Sequence, residues 1–97
     1  MLKGSVKMFI NKTKKGENNI CGKNIATFRK AAGLSQNQLA GKLQVHGMDV
    51  DKNAIQRIEA GKRFVTDIEL VYLANVLEVG YIDLLDGAEI KTDPINK

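Results

Sequence analysis

Thirteen residues in the middle of the chain, Asp51 to Arg63 (DKNAIQRIEAGKR), crowd amides and charges around two isoleucines. At about 100° per residue, a helix here sets Ile55 and Ile58 on one face and Asn53, Gln56 and Arg57 on the opposite one. One side packs, and the other offers hydrogen bonds to a partner. These groups recognise rather than react. Elsewhere there is one cysteine, Cys21, and one histidine, His46, so neither an internal disulfide nor a metal cluster can be assembled. Ser35 has the position of a helix cap, and Ser5 lies in a basic leading segment. No nucleophile with its base and no phosphate-cradling glycine loop is present, so the chain reads as a non-enzyme without cofactor or metal.

The elements that must hold this face can be read from the same periodicity. Asp51 is a suitable N-cap, and Gly61 supplies the left-handed residue that often ends a helix. A helix of about ten residues is marginal in water alone, so neighbours must hold it. From Asn19 onward, Ile25, Phe28 and Ala32 recur at helical spacing, with Gly33 as terminator, and predict the first helix. Ser35 and Gln38 form a capping box ahead of Leu39, Ala40 and Leu43, which predicts the second. In the connection QVHGMDV, Val45, Met48 and Val50 are expected to turn inward, with His46 solvated. The Asp51 stretch is the third helix. Thr66 and Glu69 make another capping box before Leu70, Leu73, Ala74 and Leu77, the fourth. GYIDLLDG closes the core as a short fifth helix through Ile82, Leu84 and Leu85.

Ninety-seven residues, 43% of them hydrophobic, suit one small domain. Residues 1–18 are expected to be a basic, flexible arm, residues 19–87 the helical domain and residues 88–97 a tail. No run of about 18 apolar residues and no signal-peptide core is found, so a cytoplasmic protein without a membrane span is expected. Charge is polarised along the chain: residues 1–22 carry +4, residues 23–63 carry +5 and residues 64–97 carry −5. A cationic front with an acidic rear fits one face presented to a polyanion. A solubilising surface explains the charge alone equally well.

Residues 23–85 resemble the helix-turn-helix domain of the lambda repressor and Cro type, the XRE family, through FRKAAGLSQNQLAGKL, IQRIEAGKR and IELVYLANVLEV in that order. The resemblance implies an all-α, five-helix fold in which helices 2 and 3 form the helix-turn-helix. It also implies that Gln36 bonds a DNA phosphate beside the N-terminus of helix 2, and that helix 3 enters the major groove with Lys52, Asn53, Gln56 and Arg57 toward the bases. Lys and Arg donate to guanine, while Asn and Gln pair with adenine. Lys62 and Arg63 match phosphate-contacting positions. Glu59, about 40° from Ile55 on the helical wheel, matches an acid that pairs with an arginine at the position of Arg29. The connection between helices 2 and 3 is about five residues longer than in the family, so an extended turn is expected, and Ala60 stands where the family often has a phosphate-contacting Asn.

The expected function is therefore a sequence-specific, double-stranded DNA-binding regulator, most simply a repressor, acting as a twofold homodimer. Helix 5 and its flanks, including Tyr81 and Leu85, are the first choice for the dimer surface, and the N-terminal arm is the second. An antitoxin-type interaction protein is the alternative, with Val6 to Lys15 or Ala88 to Lys97 as the contact to a toxin.

Overall fold

The computed structural model describes residues 12, 13 and 15–87; these form five helices, α1 (Gly22–Ala31), α2 (Gln36–Val45), α3 (Lys52–Glu59), α4 (Asp67–Leu77) and α5 (Tyr81–Leu85). Residues 1–11, most of the expected arm, and the tail at 88–97 lie outside the described residues.

Local chemistry starts three helices where the sequence places them. Ser35 Oγ accepts from Gln38 N at 3.0 Å while Ser35 N donates to Gln38 Oε1 at 2.8 Å, so two amides at the start of α2 are satisfied reciprocally. Thr66 and Glu69 do the same for α4. Asp51 Oδ1 accepts from Ala54 N at 2.8 Å and starts α3. Helix α1 begins three residues later than its periodicity predicts. Asn19 is held outside it, accepting from Gly22 N through Oδ1 at 2.8 Å and donating through Nδ2 to the carbonyls of Ile58 and Arg63.

Ile25, Leu39, Leu43, Ile55, Ile58, Leu73 and Leu84 are fully buried, one or two from every helix. Each eliminates apolar surface worth about 1.5–3 kcal/mol relative to an exposed side chain. Met48 and Val50 turn inward as expected, but Val45 is 85% exposed. It ends α2 four residues after Gly41, on the outer face, so its apolar character does not bring it to the core. Helix α5 corrects a second expectation. Only Leu84 is buried, with Ile82 75% exposed, because a five-residue helix directs few side chains inward. Helix α2 itself runs through Val45, leaving residues 46–51 as the link to α3.

The end of the expected arm is part of the fold. Thr13 and Glu17 close a turn (Thr13 N to Glu17 O, 2.8 Å), and Asn18 N donates to Gly61 O at 2.8 Å. Asn18 Nδ2 adds a bond to Lys62 O. Asn18 and Asn19 thereby brace the segment that follows α3.

Candidate nucleic-acid interface

Helix α3 turns Ile55 and Ile58 into the core and leaves Lys52, Asn53, Gln56 and Arg57 exposed. None of these four side chains has an internal hydrogen-bond or ion-pair partner among the described residues. Their donors and acceptors face water and need no rearrangement to meet a ligand. The helix that carries them is tied at both ends. Asp51 caps its start, and at its finish Gly61, at φ +78°, turns the chain into a conformation that side chains disfavour.

The last turn of α3 is fastened to α1 by charge. Arg29 Nε donates to Glu59 Oε2 at 2.6 Å and Arg29 Nη2 to Glu59 Oε1 at 3.0 Å, a fork-on-carboxylate pair whose side chains keep 10% and 8% of their exposure. The Glu59 carboxylate holds the Arg29 guanidinium above its ordinary range, against a smaller opposing effect of burial. Gln36, at the first position of α2, is half-buried and donates through Nε2 to Glu59 Oε1 at 3.0 Å. Its amide therefore meets the carboxylate inside the domain.

Lys62 and Arg63, adjacent in sequence, differ in situation. Lys62 is exposed. Arg63 is half-buried and grips Glu69 with two bonds of 3.0 Å, Nη1 to Oε1 and Nη2 to Oε2, and Nη1 also donates to the Phe64 carbonyl. Pairing raises the Arg63 guanidinium above its ordinary range and lowers the Glu69 carboxyl below its own, with Thr66 adding to the latter. Arg63 is thus placed as a latch across the turn between α3 and α4, and engaging a phosphate would require it to share or leave Glu69.

Other candidates for chemistry fall away from this face. Cys21 is buried and its thiol is pushed up to about 11, chiefly by burial. His46 is exposed after α2, its Nδ1 2.9 Å from the Lys42 carbonyl. Among the described residues no three His, Cys, Asp or Glu side chains gather to hold a metal, and no helix is long and apolar enough to cross a membrane. Of the segments considered for a toxin contact, the described residues include only Lys12, Thr13 and Lys15. Sequence reading missed Asn18, Asn19 and Glu69 as supports. Glu69 was legible only as a capping residue, although an arginine six residues upstream was the available signal.

Between residues 23 and 63 the exposed charges are mostly cations, Lys23, Lys30, Lys42, Lys52, Arg57 and Lys62 against Asp49 and Asp51, whereas Asp67, Glu78, Asp83 and Asp86 are exposed from α4 onward. Two capped helices joined by a turn, the second with an exposed polar face that has no internal partner among the described residues, define a helix-turn-helix module. The chain belongs to the helix-turn-helix domain family, whose model matches residues 22–86, and its features are those of XRE-type members.

Solved structures agree. The restriction-modification controller protein C.AhdI from Aeromonas hydrophila is 28% identical with a TM-score of 0.58, over 66% of this chain and 86% of that one. The hypothetical transcription factor NHTF from Neisseria is 21% identical (TM-score 0.61; 73% of this chain, 76% of that one) and shares the fold alone. So does the competence regulator ComR from Streptococcus vestibularis, in its apo form, at 24% identity (TM-score 0.58; 80% of this chain), and this chain spans only 25% of its length. No curated protein matches the chain in sequence. Fold and family make this protein a DNA-binding transcriptional regulator of the lambda repressor-like class.

Proposed function

We propose that the protein is a sequence-specific repressor that binds double-stranded DNA as a twofold homodimer and reads the major groove with α3. The observation that carries this reading is the exposed set Lys52, Asn53, Gln56 and Arg57 on a helix anchored at both ends, with no internal partner for any of the four side chains among the described residues. Arginine and lysine donate to guanine O6 and N7, and asparagine and glutamine bond adenine bidentately. Gln36, at the α2 N-terminus where helix amides favour an anion, and Lys62 are the phosphate contacts. Arg63 serves the backbone contact indirectly, by holding the turn that carries Lys62.

One such module covers too little DNA for high specificity, so two copies on half-sites about one helical turn apart are required. Tyr81, 52% exposed, and its neighbours Ile82 and Leu85 on α5 give an apolar patch suited to the contact between copies. The protein acts by occupancy rather than catalysis.

Selection from a random duplex pool at near-physiological salt tests this reading. Enrichment of a pseudo-palindrome is expected, with Arg57→Ala relaxing one base position at a cost of about 1–3 kcal/mol and Lys62→Ala weakening all sequences alike while reducing the salt slope by about 1. Failure to enrich any sequence, with binding that simply vanishes as salt rises, would leave only nonspecific attraction to phosphate.

A further inference from the structure

The cluster where α1, α2 and α3 meet holds one more bond than an ion pair needs. Glu59 Oε1 accepts from both Arg29 Nη2 and Gln36 Nε2, each at 3.0 Å, and Oε2 accepts from Arg29 Nε at 2.6 Å. Arg29 Nη1 donates to the Leu34 carbonyl at 2.8 Å, immediately before the Ser35 cap of α2. The carboxylate of the last α3 residue is thus joined directly to the first α2 residue, and through Arg29 to the turn ahead of it.

A carboxylate that faces a guanidinium has only acceptors to offer, so the Gln36 amide must turn its nitrogen, and not its oxygen, toward Glu59. That choice matters for an anion. A phosphate oxygen also only accepts, and a glutamine free to flip would present its own oxygen to it part of the time. With the nitrogen fixed and one of its two hydrogens engaged, the other hydrogen remains for an outside acceptor, and Gln36 is only half-buried. Gln36 is also the first residue of α2, where its own backbone amide and that of Asn37 precede the first amide satisfied by the Ser35 cap.

We infer that Glu59 is a positioning residue for DNA binding: it locks the Gln36 amide nitrogen toward the phosphate and couples the backbone-gripping end of α2 to the reading helix α3. This rests on the reading of α2 as the phosphate-contacting helix. A purely structural Arg29–Glu59 pair would stabilise the fold without affecting how Gln36 meets DNA.

The test uses the whole chain and a duplex selected with it, in four forms: wild type, Gln36→Ala, Glu59→Gln and the double variant. Glu59→Gln keeps the size of the side chain but removes the charge and one of the two acceptors that fix Arg29 and the Gln36 amide. Each form is melted first, and binding is measured well below the lowest midpoint so that only folded protein is compared. A hydrogen bond to a charged group predicts a loss of about tenfold for Gln36→Ala. Glu59→Gln should lose a similar factor, and the double variant no more than the weaker single, because both remove one contact.

Duplexes carrying one uncharged methylphosphonate at a time give an independent readout. At one position the substitution should weaken the wild type yet leave Gln36→Ala and Glu59→Gln unaffected. Losses that multiply in the double variant would overturn the inference. So would a Glu59→Gln form that melts early but binds as the wild type does and keeps its sensitivity to that phosphate, and Glu59 would then serve folding alone. If the wild type selects no duplex at all, the DNA reading fails with it, an outcome visible before any variant is made.

Discussion

Two glycine-to-alanine substitutions should move stability in opposite directions, and the difference is set by what a new methyl group meets. At Gly22, the first residue of α1, a Cβ would stand 2.9 Å from Asn19 Oδ1 and 3.2 Å from the Glu59 carbonyl, with the Ile58 carbonyl closer still. Carbon and oxygen ordinarily approach to about 3.3 Å at the least, so the start of α1 and the last turn of α3 must separate by roughly 1 Å. The obstruction includes backbone that cannot swing aside. It also lies within the Asn19 bridge, which bonds the Ile58 and Arg63 carbonyls. Overpacking of this kind costs about 1–3 kcal/mol, and alanine gains little at a helix's first residue. At Gly41, in the middle of α2, nothing lies within 4 Å of a new Cβ. Alanine there should stabilise by about 1 kcal/mol through helix propensity alone. Thermal and urea denaturation of the two single variants measure both. For a domain of this size each kcal/mol moves the midpoint by about 4–8 °C, so Gly22→Ala should melt roughly 10 °C lower and Gly41→Ala several degrees higher than the wild type. A Gly22→Ala protein as stable as the wild type would refute the close approach of α1 to α3 and the packing argument built on it.

Two further outcomes follow from the ionisable groups. Because Arg63 lowers the Glu69 carboxyl, that pair stabilises the fold above the unfolded carboxyl pKa of about 4.3, and its contribution is lost as pH falls through the lower folded value. Arg63→Ala should therefore destabilise at neutral pH, by under about 1 kcal/mol because the pair is partly solvated, and the gap from wild type should close in acid denaturation curves below about pH 4. Burial pushes the Cys21 thiol up to about 11, so the folded chain keeps this proton longer than the unfolded one, and stability should fall as pH rises from about 8.5, the ordinary thiol value, toward 11. At pH near 8 a thiol reagent should label Cys21 slowly in the native protein and rapidly in denaturant; equal rates would contradict its burial.

What could be read in the sequence was what depends on neighbours within about one turn. The capping boxes at Ser35 and Thr66, the Asp51 cap and the Gly61 turn involve residues three or four apart, and they stand as expected. Periodicity also found the buried faces of α2, α3 and α4. It failed where an element is too short or a residue sits at its end: Ile82 and Val45 are apolar yet exposed, because no neighbouring helix covers that side. Contacts between distant residues had no local signature. Gln36 and Glu59 are 23 residues apart, and the bond from Asn18 N to Gly61 O spans still more chain. The Arg29–Glu59 position came from family resemblance, whereas the engagement of Arg63 with Glu69 needed three dimensions, since two side chains that look free in a sequence neutralise each other in space.

Helix α3 separates what holds it from what it shows. Asp51, Ile55, Ile58, Glu59 and Gly61 carry its attachments, and Lys52, Asn53, Gln56 and Arg57 carry none among the described residues. Exchanges confined to the second set should change folding free energy by less than about 0.5 kcal/mol, as for other surface positions. If these four side chains read DNA as proposed, target preference can drift in descent, or be rewritten by design, four side chains at a time, without retracing the route by which the scaffold became stable. The same independence allows duplicated copies in one cell to diverge toward separate operators while remaining equally robust proteins.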